Sequence, residues 1–167
     1  MDLTPYLPWI VFLHVISVFL FVAGHGVSLV AMFRIRAERD PSRLAAYLDL
    51  SRTSLGLAFG GLLGILVFGI VAGLIAGDFG RLWLWASIVL FVVVGGAMTP
   101  MGAIPLNKIR FAIGQPVGKP KPGEAATIAV PFEQVVPMLD ALRPDVLAAI
   151  GGGGFLVILY LMTFKPF

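Results

Sequence analysis

The sequence predicts an all-α integral membrane protein, an antiparallel four-helix bundle with both termini outside the cytoplasm. Three observations predict it. Of 167 residues, 59% are hydrophobic and only 13% charged, with a mean hydropathy of +0.98. Soluble domains are nearer half apolar and a quarter charged, so a bilayer must serve as solvent here. Four runs reach the roughly 20 apolar residues that a crossing helix needs. Ten of the twelve Lys and Arg residues fall in two segments between those runs.

The first run spans residues 8–33. Before it, "MDLTPYLP" carries an Asp and no basic residue, and the run is far longer than a signal-peptide core. It is therefore expected to remain in the mature protein. The segment 34–53 holds Arg34, Arg36, Arg39, Arg43 and Arg52. Within it, Asp40 can cap a short helix with Pro41 at its first position. Leu44, Tyr47 and Leu48 would give that helix an apolar face lying on the headgroups. The second run spans 54–77 and the third 82–104, joined by the tight turn "GDFGR". Pro100 and Pro105 are expected to kink or end the third helix. The segment 105–145 carries Lys108, Arg110, Lys119, Lys121 and Arg143. It opens as a stiff linker, "GQPVGKPKPG", and continues as "PFEQVVPMLDALRP", a short amphipathic stretch. The fourth run spans 146–164. Basic residues mark cytoplasmic loops. Both long loops then face the cytoplasm, and residues 1–167 form a single transmembrane domain. Trp9, Trp83, Trp85 and Tyr160 fall near the outer ends of their spans, where amphipathic rings prefer to sit.

Glycines suggest how the spans pack. Gly56, Gly60 and Gly64 are four apart, and so are Gly69, Gly73 and Gly77. Each set makes a small-residue strip that admits another helix closely. The slip of five between Gly64 and Gly69 turns the strips about 140° apart. One strip can meet this chain and the other a second protomer or a foreign subunit. Gly95, Gly96 and Gly102 and the run "GGGG" at 151–154 continue the pattern.

The composition also excludes chemistry. Without cysteine there are no disulfides, thiolate metal sites, iron–sulfur clusters or covalent c-type haem. No His, Asp or Glu cluster has zinc spacing, and no span carries an acidic residue near its centre. Catalytic triads, phosphate loops and nucleic-acid patches are absent, and no catalytic residue can be assigned.

What remains is the pair of histidines. His14 and His25 are the only two, and both lie in the first span. Eleven residues amount to three helical turns plus about 20°, so they share a stripe with Ser17, Phe21, Ser28 and Met32. They stand about 16 Å apart along the axis, too far for one metal or one haem to take both. Imidazole is the usual axial ligand of b-type haem, which needs no cysteine. Gly24 and Gly26 flank His25 and would clear room for a flat macrocycle. Met98, Met101 or a histidine of a second protomer could supply the other ligand, or that position could stay open. The competing reading makes each histidine a hydrogen-bonding group between helices. Proton relay is a third role, and Cu(I) held through Met98 and Met101 a fourth.

The stretch "WIVFLHVISVFLFVAGHGVSLVAMFRIR" resembles the first span of a group of small bacterial membrane proteins. They are an uncharacterised family of four-span predicted integral membrane proteins, the copper-resistance D-type membrane proteins, and the J-type haem-dependent protoporphyrinogen oxidase. The shared cue is an aromatic, Leu-His near the outer end, a Gly some ten residues on, and a basic residue at the exit. Here these are Trp9, Leu13, His14, Gly24 and Arg34. The glycine pattern of the second span and the entry "RLWLWASIVLF" of the third look most like the four-span family. The resemblance implies that His14 is tied to haem. The oxidases also rely on a lysine in a later span, but the third span here has none, and Lys108 lies beyond Pro105.

The resulting expectation is a multi-pass protein of the bacterial inner membrane. It would hold b-type haem through His14, with His25 secondary, in a redox or haem-related role. The alternative is a cofactor-free accessory subunit of a larger membrane complex. In either case the partners are the lipid bilayer and a second copy or other subunits, with no nucleic acid.

Overall fold

A computed structural model describes residues 2–118 and 128–167. Half of the expected stiff linker, with Lys119 and Lys121, lies outside the described residues. Five α-helices follow in order: α1 (Leu7–Ala37), α2 (Pro41–Ala76), α3 (Leu82–Ala112), α4 (Phe132–Asp140) and α5 (Pro144–Phe164). No strand occurs among the described residues. Four helices are long and apolar enough to cross a membrane.

Three helices overrun the apolar segments that mark the spans. The residues from 41 to 52 do not form a separate helix on the headgroups. Asp40 caps as expected, its carboxylate accepting from the backbone N–H of Arg43 at 2.9 Å, and Pro41 opens the helix. No glycine or proline interrupts Ser51–Arg52–Thr53–Ser54, so the helix runs unbroken to Ala76. Its 36 residues measure about 54 Å, well beyond a hydrocarbon core of about 30 Å. Likewise α3 does not end at its prolines. It passes through Pro100 and Pro105 and reaches Ala112. Apolar helix is favoured in a bilayer because its backbone bonds close internally, which tolerates proline there. The loop between α1 and α2 is therefore only Glu38, Arg39 and Asp40.

The helices associate as two antiparallel pairs, α1 with α2 and α3 with α5, with few contacts between the pairs. The α1–α2 seam is close. A Cβ on Gly24 would stand 2.5 Å from the Ala58 nitrogen and 2.7 Å from the Ser54 carbonyl oxygen. A Cβ on Gly61 would stand 2.7 Å from the Ser17 carbonyl oxygen. The two backbones touch where only hydrogen fits. Ser28 and Ser51 hydroxyls bond across the same seam at 2.9 Å.

The main buried cluster does not lie at mid-membrane. It sits at the arginine-rich end, where the overrunning helices and α4 meet. Ile35, Leu44, Leu48, Ile109, Val135 and Leu139 are all fully buried there. Here α4 presents Val135 and Leu139 inward and Glu133 outward, the amphipathic stretch read from sequence. This end behaves like a small soluble core, because water rather than lipid drives its burial. The opposite end is tied more lightly. The Lys165 ammonium lies 3.5 Å from the Asp78 carboxylate and 4.8 Å from the Trp83 ring centroid.

Candidate functional site

The two histidines share a stripe of α1 but meet different neighbours. His14 faces α2. Its Nδ1 lies 3.1 Å from the Ile65 carbonyl oxygen, the distance of an N–H donated to that carbonyl. The ring is seated over Gly69, where a Cβ would stand 3.0 Å from Cε1. The missing side chain at position 69 is what lets the imidazole reach the backbone of α2. With Nδ1 so engaged, Nε2 is the nitrogen left to act, the arrangement that commonly orients a ligating histidine.

His25 faces the other pair. Its ring stacks on Phe21 of the preceding turn, with centroids 5.5 Å apart and planes 10° from parallel. Its Nε2 lies 3.7 Å from the point that a Cβ on Gly151 of α5 would occupy. The Met98 sulfur of α3 lies 2.8 Å from that same point. An imidazole nitrogen of α1 and a thioether sulfur of α3 thus approach the same bare position of α5. No hydrogen bond satisfies His25 among the described residues. An imidazole always carries a donor or an acceptor that needs a partner. At about 12 Å inward from Phe33, by the helical rise, His25 is too deep for bulk water if α1 spans the bilayer. The half-buried ring is therefore a polar group of the spans left without a hydrogen bond among the described residues.

The other expected site residues separate. Gly24 clears no cofactor space, because the α2 backbone fills it. Gly26 has open space beside it. Met101, one turn beyond Met98, is exposed. Ser17 is buried, bonds its own Leu13 carbonyl at 2.7 Å, and packs on Gly64. Met32, the last residue of the stripe, belongs to the buried cluster. Of the glycine strips, Gly64, Gly69 and Gly73 touch residues of this chain, whereas Gly56 and Gly60 face open space. Gly77 is no packing glycine. It ends α2 at φ +71°, a conformation glycine adopts without strain.

Sequence reasoning missed two features. Gly61, beside the strip rather than on it, makes one of the closest helix contacts. Arg110, counted as a loop cation, is 4% exposed. Its guanidinium donates to the Leu48 carbonyl and the Gln115 side chain, and lies 3.4 Å from Asp49. It pins α3 to α2 at the edge of the buried cluster. Its flanking Ile109 and Ala112 were the available signal.

Among the described residues, two of the surface grooves are open and apolar, and neither is lined by a histidine. One, of about 540 Å³, is formed by Leu82, Trp85, Val89 and Val93 of α3 with Phe167. The other, of about 650 Å³, lies between α3 and α4. No group of three His, Asp or Glu side chains capable of holding a metal occurs among the described residues.

The fold and site define an all-helical chain with four membrane-length helices and a His–Met convergence between its two helix pairs. Among known proteins, no family model, no curated protein and no solved structure matches the chain.

Proposed function

We propose that this protein is a small multi-pass protein of the bacterial inner membrane that holds b-type haem through a first-span histidine. Its role on this reading is redox or haem-related. The observation that carries the proposal is the approach of His25 Nε2 and Met98 Sδ to the same bare position, Gly151, with no hydrogen-bond partner for the imidazole among the described residues. Neutral imidazole and thioether are a known axial pair for haem iron, and the absence of cysteine leaves only the non-covalent form. His25 and Met98 are then the residues that would hold the group, and Gly26 and Gly151 the positions that leave it room. His14, anchored on Ile65, takes the secondary place. The group would supply one-electron chemistry, and the chain's own part is to present the two donors in an apolar, water-poor setting.

The placement in the membrane belongs to the same proposal. Positive loops stay cytoplasmic, so the arginine-rich end faces inward and both termini face outward. The two helix pairs then close into one four-helix bundle about Gly151, which His25 and Met98 both approach.

The test is an optical spectrum of the protein extracted in mild detergent, oxidised and then reduced with dithionite. A Soret band lost in His25→Ala and shifted in Met98→Leu is expected. A colourless, folded protein expressed with ample haem removes the proposal.

A second reading, a cofactor-free subunit of a larger membrane complex, is favoured by one observation. Gly56 and Gly60 on α2, Gly95 and Gly96 on α3, and Gly152 and Gly153 on α5 all face open space. Such bare positions suit close approach of further helices. Co-purification with larger proteins supports this reading.

A further inference from the structure

The groove between α3 and α4 is independent of the histidines and has a different chemistry. It is lined by Ile104, Asn107, Lys108, Phe111, Gln134 and Met138, among others, and no acidic residue contributes among the described residues. Ile104, Lys108 and Phe111 recur at helical spacing, so they share one face of α3. Lys108 makes no ion pair among the described residues. Arg34 has none either, but the other nearby arginines differ. Arg36, Arg39, Arg43, Arg110 and Arg143 each have a carboxylate within 4.0 Å. Arg52 donates to the carbonyls of Pro116 and Gly118. Among the described residues Lys108 is thus a cation without a paired carboxylate, on a largely apolar wall that also carries the Asn107 and Gln134 amides.

Depth decides what meets it. From Leu82 to Ile104, α3 rises about 33 Å, close to the thickness of a hydrocarbon core. Lys108 lies about 6 Å further along, which is headgroup depth. Ile104 sits at the edge of the acyl region, with Asn107 and Lys108 directly above it. The wall opposite is held in place. Val130 N–H donates to the Ala112 carbonyl at 2.9 Å, and the Arg52 contacts fix the chain after α3.

We propose that this groove is a binding site for one anionic phospholipid. The phosphate meets the Lys108 ammonium, with the Asn107 and Gln134 amides as further donors, and an acyl chain runs along Ile104 toward the hydrocarbon. Charge complementarity selects this occupant. A zwitterionic headgroup brings its own cation to an ammonium that has no counter-charge, whereas an anionic one neutralises it. A basic residue at headgroup depth favours anionic lipid by about fivefold.

Native mass spectrometry of the full chain in detergent tests this, with phosphatidylglycerol or phosphatidylcholine added at equal concentration. One phosphatidylglycerol retained per chain, several-fold above phosphatidylcholine, is expected. Lys108→Gln should abolish the preference, and Lys108→Arg should keep it. Arg34→Gln removes an exposed charge from the same end outside the groove, and it should leave retention unchanged. Equal retention of both lipids, no retention, or an equal loss in Arg34→Gln and Lys108→Gln overturns the proposal. The last outcome would mean a diffuse surface charge rather than a site.

Discussion

Gly61→Ala is the sharpest test of the α1–α2 seam. The added Cβ would stand 2.7 Å from the Ser17 carbonyl oxygen and 2.8 Å from the Phe21 Cα, and nearer still to the Phe21 nitrogen. Carbon atoms settle at about 3.5–4.0 Å, so the helices must part locally by about 1 Å. All three obstructing atoms are backbone, so no rotamer change relieves the clash. A gap of that size forfeits a quarter to a half of each dispersion contact along the seam. Overpacking of this kind costs about 1–3 kcal/mol. The control is Gly60→Ala, one residue away on the same helix, where a Cβ meets nothing within 4 Å. Both substitutions gain the same helix propensity, so their difference isolates the contact. Reversible unfolding in mixed dodecyl maltoside–SDS micelles, followed by the fluorescence of the three tryptophans, measures it. Gly61→Ala should be less stable than Gly60→Ala by about 2 kcal/mol, roughly the middle of that range. Equal stabilities within about 0.5 kcal/mol, the scatter of neutral surface changes, would refute the seam as described.

Two further predictions concern the same end of the molecule. Cysteines replacing Ser28 and Ser51 should form an intrachain disulfide on mild oxidation in membranes, because those hydroxyl oxygens lie 2.9 Å apart and the chain has no cysteine to compete. Failure to cross-link, read as unchanged gel mobility, would show that α1 and α2 do not pair in this register. Glu38, in the turn between these helices, accepts from the backbone N–H groups of Asp40 and Arg39, which hold its carboxyl below the usual carboxylate range. A depressed folded-state value means stability that is present above the unfolded value, near pH 4.3, and lost as pH falls through the folded one. Unfolding measured between pH 6 and about pH 3 should therefore show an acid-side loss that shrinks in Glu38→Gln. An identical pH profile in that variant counts against the turn geometry.

How far the sequence reveals this protein depends on the forces in play. Hydropathy located all four long helices, since burying apolar length in lipid is a property of each segment alone. It placed their ends poorly, because hydropathy reports where the bilayer stops and not where the helix does. Nothing between Ser51 and Leu55 breaks a helix, so α2 continues through arginines that look like loop. The packing glycines were only partly legible. Counting by fours from Gly56 ran past Gly61, although Ser54, Ala58 and Gly61 supply small residues at i, i+4 and i+7. The stripe through His14 and His25 was readable from helical geometry, but its partners were not. Which helices pair decides that His14 meets Ile65 while His25 meets Met98, and pairing is a long-range property.

That pairing bears on function. Within the spans α1 and α2 pack closely, α3 and α5 less so, and the two pairs have little contact with each other, so their facing sides have lipid as the alternative neighbour. Between helices in lipid, burial of apolar surface supplies no net drive, and association rests on packing and polar contacts. The polar contacts between the pairs lie at the arginine-rich end, where Arg110 meets Leu48 and Asp49 and Arg36 meets Asp145, whereas within the spans His25 and Met98 only approach the same bare position, Gly151. At the arginine-rich end the pairs are joined by a water-driven core that includes Ile35, Leu48, Ile109 and Leu139. A chain held firmly at one end and loosely at mid-membrane is well built to accept something between its halves. A prosthetic group ligated by His25 and Met98 would close that seam from within, whereas a partner helix on the open glycines would close it from outside. The two cases separate by stability. Loss of the imidazole in His25→Ala should leave the isolated, colourless chain nearly as stable as before if a partner does the closing. If haem does, the same substitution should lower stability together with the Soret band, because a ligand bound only to the folded state stabilises it by mass action.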